Sequence, residues 1–179
     1  MIIWLASYPK SGNTWVRSFL SAYYYSNDGK FNFSLLKKIK QFPSKDFFND
    51  KLKSVDEAAE NWLIAQKRIN EQNKLCFLKT HNVFGAYKGK SFTTSEHTLG
   101  AIYIVRDPRN VVKSYANHNQ LTLEHSTSRL LEFGATIGGI KSSDIEANHI
   151  ITHMGSWASN YNTWKEFKKI DKYLLVKYE

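Results

Sequence analysis

Short unbroken apolar runs alternate along this chain with stretches in which apolar residues recur every three or four positions. The runs are Ile2-Ile3-Trp4-Leu5-Ala6, Leu75-Cys76-Phe77-Leu78, Ala101-Ile102-Tyr103-Ile104-Val105 and Tyr173-Leu174-Leu175-Val176-Lys177-Tyr178. Runs of this length bounded by polar residues read as buried strands. The periodic stretches read as helices. One holds Trp15-Val16, Phe19-Leu20 and Tyr23 on a single face, and a second holds Ala59, Trp62-Leu63 and Gln66-Ile69. A third carries Val111-Val112 and Tyr115-Ala116, and a fourth runs from Ile150 through Met154, Trp157-Ala158, Tyr161 and Trp164. Ser54 with Glu57 three residues on is a capping box for the second helix. Asp107 as N-cap and Pro108 at the first helical position start the third. A short helix ends before Pro43, and 119–148 is irregular apart from a helical patch at Leu130-Leu131. Strands alternating with helices predict an α/β fold, a parallel sheet with helices on both faces. A length of 179 residues suits one domain, 1–179.

In such a sheet ligands bind beyond the carboxyl ends of the strands. Four predicted strands end at Lys10, at Lys79-Thr80-His81, at Arg106 and at Tyr178, so these polar residues converge on one edge. The loop Ser7-Tyr8-Pro9-Lys10-Ser11-Gly12-Asn13-Thr14-Trp15 leads from the first strand into the first helix. Gly12 allows a sharp bend and close approach to a ligand. The first amides of the helix, at the positive end of its dipole, are a ready site for an anion. Lys10 adds a charge there, and Ser11 and Thr14 add hydroxyl donors.

The formal charge of +9 agrees with an anionic partner, whether nucleotide, nucleic acid or membrane surface. The loop is not a Walker A loop, because its Lys precedes the Gly and no strand offers an evident acidic magnesium ligand. The string YPKSGNTW instead resembles the 5′-phosphosulfate loop of sulfotransferases that use 3′-phosphoadenosine 5′-phosphosulfate (PAPS), commonly YPKSGTTW, with Asn13 in place of Thr. Arg106 and, eight residues later, Ser114 resemble that family's 3′-phosphate motif. Lys79-Thr80-His81 is similar to its Lys-Thr-His segment, Trp15 to its adenine-stacking Trp, and Lys177-Tyr178-Glu179 to the start of its Tyr-Glu-Asp segment.

The resemblance implies a P-loop NTPase-like fold and sulfuryl transfer from PAPS, leaving 3′-phosphoadenosine 5′-phosphate (PAP). The acceptor is a small molecule or glycan bearing a hydroxyl or amine. His81 is the implied base. Lys10 and Lys79 are the implied charge stabilisers, and no metal is required. Donor binding falls to Lys10, Ser11, Gly12, Asn13, Thr14, Trp15, Arg106, Ser114 and Tyr178. The family's later GxxGxWK segment has no counterpart before Glu179, so the resemblance implies a C-terminally shortened domain. A small-molecule kinase and a non-catalytic nucleotide or polyanion binder on the same fold are the competing readings. Nucleic acid is disfavoured because the basic residues are spread, without aromatic interleaving.

Cys76 is the only cysteine, which excludes an intrachain disulfide. Without a charged leader or a span of about 20 apolar residues, the sequence predicts a cytoplasmic protein that does not engage a membrane. His97, His118, His125, His149 and His153 read as surface or structural residues. His149 and His153 stand four apart on the predicted fourth helix but lack the Glu of a metalloprotease frame. Asp144 and Glu146 are too isolated to form a working carboxylate pair.

Overall fold

The computed structural model describes residues 1–48, 52, 54–138 and 150–179. In chain order the elements are β1 (Ile2–Ser7), α1 (Asn13–Tyr25), α2 (Val55–Asn70), β2 (Cys76–Thr80), the short pair β3 (Ala86–Tyr87) and β4 (Lys90–Ser91), β5 (Thr98–Arg106), α3 (Pro108–Asn119), α4 (Leu123–Leu131), β6 (Thr136–Ile137), β7 (Thr152–His153), α5 (Trp157–Trp164) and β8 (Tyr173–Tyr178). Three 3₁₀ turns, Phe33–Lys38, Lys45–Phe47 and Lys165–Ile170, fill connections.

The central sheet is four-stranded and parallel, in the order β2-β1-β5-β8. Side chains alternate across β1, and the two faces gather different partners. Ile2, Trp4 and Ala6 join Trp62, Ala65 and Ile69 of α2 and Trp164 of α5 in one core. Leu5 on the other face joins Phe77 and Ile104, with Val16 and Leu20 of α1 packed against them. Tyr8, just past β1, anchors a third cluster with Val111 and Tyr115 of α3, Leu130 of α4 and Met154. Helices therefore flank both faces, as the alternating pattern requires.

The predicted caps form as read. Ser54 accepts from the Glu57 amide and Asp107 from the Arg109 amide, with Pro108 opening α3. The helix expected before Pro43 is a 3₁₀ segment that ends earlier, at Lys38. Trp15, Phe19 and Tyr23 of α1 are 67%, 62% and 71% exposed. The helix turns only Val16 and Leu20 of that face inward, together with Ser21 and Ala22. The helix expected from Ile150 begins only at Trp157: Thr152–His153 pairs antiparallel with Thr136–Ile137, Gly155 takes φ +62°, and Ser156 caps α5. His153 is therefore on a strand, not on a helix with His149; His149, Asp144 and Glu146 lie outside the described residues. The hairpin β3–β4 lies between β2 and β5, in a stretch without an apolar run or helical period. Its turn, Lys88-Gly89, has positive φ at both positions, the geometry that suits the twist of a two-residue hairpin.

Candidate active site

Parallel pairing aligns the carboxyl ends of all four strands, and the chain turns there into one cavity of about 750 Å³. Ser7 ends β1 fully buried, and the following loop is tightly wound. The Ser11 amide donates to the Tyr8 carbonyl, Lys10 takes φ +67° and Gly12 takes φ +92°. Gly12 also caps α1, its carbonyl accepting from the Trp15 amide at 3.0 Å. The neighbouring strands hold this loop. Arg106 at the end of β5 donates through Nη1 to the Lys10 carbonyl at 3.2 Å, and its guanidinium lies 5.1 Å from the centre of the Tyr178 ring. The same ring, from the end of β8, presses on Gly12, where an added Cβ would meet its carbons at 2.5 and 2.6 Å. Loop, arginine and tyrosine are thus one interlocked unit.

His81, just beyond β2, lies against β1. Its Nδ1 is 2.8 Å from the Ser7 carbonyl and 3.3 Å from Ser7 Oγ. A carbonyl only accepts, so Nδ1 carries the proton and the second ring nitrogen carries the basic lone pair. Behind it, Asn13 Nδ2 donates to Ser7 Oγ at 3.1 Å and to the Leu5 carbonyl at 2.9 Å. Asn160 of α5 fixes the backbone, donating to the His81 carbonyl at 2.9 Å.

Lys79 precedes it on β2 and donates through Nζ to Gln41 Oε1 at 3.1 Å. Burial, with Arg17 and Lys10 adding positive charge, pulls its pKa down to about 8. Asp107 does not pair with Arg106; it binds Arg109, which holds its carboxyl down at about 2.

The structure brings together on this cavity every residue to which the resemblance gives a catalytic or donor-binding role except Ser11. Ser11 is 1% exposed, and its Oγ has no hydrogen-bond partner among the described residues. Asn13 borders the cavity, but its side chain turns inward toward Ser7. Gln41, Ser18 and His118 also line it and were not foreseen. Gln41 belongs to an irregular segment, and no local pattern marks it. Arg106 Nε, like Ser11 Oγ, is a buried donor without a partner among the described residues. An orphaned guanidinium donor beside a lysine-bearing loop fits a phosphate-rich ligand. Among the described residues no group of three or more His, Cys, Asp or Glu is arranged to hold a metal, and no helix is long and apolar enough to cross a membrane.

A parallel sheet whose first strand runs through a tightly wound, lysine- and glycine-bearing loop into a helix defines a P-loop NTPase-like α/β protein. The family model described as "Sulfotransferase domain" matches residues 2–179, and the chain belongs to that family. Two solved structures share the fold. One is mouse sulfotransferase SULT7A1 complexed with PAP, at 18% identity and a TM-score of 0.53, covering 98% of this chain and 50% of that one. The other is a retinol dehydratase in a complex with retinol and PAP, at 14% identity and a TM-score of 0.54, covering 97% and 53%. The chain thus spans about half the length of each. No curated protein sequence matches it.

Proposed function

We propose that the chain transfers a sulfuryl group from PAPS to a hydroxyl or amine of a small-molecule or glycan acceptor. One observation carries this reading: a lysine-bearing strand-to-helix loop, an arginine with an unpartnered buried donor and an oriented imidazole border a single cavity. The 5′-phosphosulfate sits on the amides at the start of α1 with Lys10 beside it. Arg106 and Ser114 hold the 3′-phosphate, Arg106 by a planar fork of donors. Trp15, exposed at the cavity rim, offers a face to the adenine. His81 takes the acceptor proton as the acceptor attacks sulfur, while the Ser7 carbonyl retains the proton on Nδ1. The bond from sulfur to the phosphate oxygen breaks as the new bond forms. Lys10 neutralises the charge left on that oxygen, and Lys79 stabilises the nonbridging oxygens. Lysines and amides supply all the positive charge these steps need, so the reading includes no metal.

Calorimetry with PAP tests the binding half. Arg106→Ala weakens binding about 10- to 100-fold, the value of one charge-assisted hydrogen bond. His81→Ala leaves PAP affinity within about threefold but abolishes transfer of labelled sulfate from PAPS to an acceptor panel. Absence of PAP binding overturns the proposal. Binding without transfer by the unaltered chain favours a nucleotide binder on this fold.

A further inference from the structure

The strand end that carries Lys79 is gripped by a segment outside the sheet. Residues 40–42 run alongside β2 as an isolated parallel bridge between Gln41 and Lys79. The Lys79 amide donates to the Lys40 carbonyl at 2.9 Å, and the Phe42 amide donates to the Lys79 carbonyl at 2.8 Å. Phe42 is fully buried beside Trp4 and Phe92, which anchors the segment to the core. Between these two backbone bonds, Gln41 Oε1 takes one Nζ hydrogen of Lys79, and both side chains border the cavity.

We propose that Gln41 is a positioning residue for Lys79, holding its ammonium at the cavity wall with a neutral oxygen and so setting the pH range over which that charge is available to a bound anion.

The choice of a carboxamide has a chemical consequence. An ammonium has three donors. Gln41 occupies one and aims the group while leaving its charge uncancelled. A carboxylate there would hold the ammonium more tightly but neutralise it toward an incoming anion. A hydrocarbon would leave a half-buried ammonium without its acceptor. The charged groups bearing on Lys79 are cationic: Arg17 from α1 and Lys10 from the loop. His81 borders the same cavity, and Lys40, next to Gln41, is paired with Asp46. Among the described residues no carboxylate forms an ion pair with Lys79. A hydrogen bond to the neutral oxygen of Gln41 favours the protonated form, opposing burial and like charge. The proposal rests on the sulfotransferase reading only for the identity of the anion.

Two substitutions at this position give opposite results. Carbon-13 NMR of lysines labelled at Cε, with Lys79→Met to assign the signal, follows the Lys79 titration without any ligand. Gln41→Met moves its midpoint toward acid and Gln41→Glu toward alkali, each by about one pH unit. PAP affinity, measured by calorimetry, falls about tenfold between pH 7 and 9.5 in the unaltered chain, as one charge-assisted contact is lost. The fall comes at lower pH in Gln41→Met. It comes at higher pH in Gln41→Glu, whose affinity at pH 7 is already about tenfold weaker. A loss of packing alone would move both variants the same way. One midpoint shared by all three proteins, or shifts of the same sign, overturns the proposal. If the NMR midpoints move as expected but PAP binds at no pH, the coupling of Gln41 to Lys79 stands and the sulfotransferase reading falls.

Discussion

At Gly12 two requirements meet in one residue. Its φ of +92° is strained for any side chain, and the Tyr178 ring occupies the place of a Cβ. Gly12→Ala is expected to cost roughly 2–4 kcal/mol, the left-handed penalty plus displacement of an aromatic ring. Thermal melting reads the loss as a fall of roughly 5–15 °C for a chain of this size. PAP binding should weaken with it, because the same ring stacks against Arg106. An alanine variant that melts with the parent would disprove the interlock. Asn13 shows what one residue's identity leaves open. The string places it in the loop, yet its carboxamide serves the Ser7 hydroxyl behind His81. Its backbone amide opens α1 where an anion would sit. Direction of a side chain depends on which acceptors surround it, and the Leu5 carbonyl and Ser7 hydroxyl lie buried at the end of β1.

Elements with local punctuation were legible. The α2 cap is an example, and Ser54→Ala should cost about 1 kcal/mol in chemical denaturation while leaving PAP affinity unchanged, since Ser54 does not line the cavity. A loss of binding in that variant would show that α2 is coupled to the site. The α1 face was misread for a specific reason. Trp15, Phe19 and Tyr23 form a stripe beside the one made by Val16 and Leu20, and both have helical spacing. Periodicity reports that a face is apolar; which of two adjoining stripes meets the sheet depends on how closely the helix approaches it. The helix expected from Ile150 failed because Gly155 and Ser156 punctuate the chain inside an otherwise helical pattern.

For the molecule as a whole, Lys79 is expected to make stability and the proposed anion affinity respond to pH in opposite directions. Its folded pKa, about 8, lies below the ordinary 10.5, so between those values the unfolded chain binds more protons. Stability of the ligand-free protein therefore rises from about pH 8, while the charge offered to an anion is lost. The trend reverses above about pH 10. Burial raises the pKa values of Tyr8, Tyr103 and Tyr173, and the stability from keeping them protonated is lost as pH climbs past their unfolded value. Melts with and without PAP from pH 7 to 9.5 should show a rising ligand-free midpoint and a shrinking PAP-induced shift. Parallel curves would rule out Lys79 as the linked group.

The amino-acid sequence by itself determined the four strands of the central sheet, most of the helices, the caps of α2 and α3 and the polar residues waiting at the strand ends. These depend on spacing and turn chemistry among near neighbours, which any short stretch carries within itself. Only the tertiary structure decided that Ser7 meets His81, that Lys10 meets Arg106, that Gly12 meets Tyr178 and that Gln41 meets Lys79. Each of these contacts joins distant positions through the strand order β2-β1-β5-β8 or through a segment laid along its edge. Such partners are selected by the burial and pairing of the whole sheet at once, and no local window of the chain contains that information.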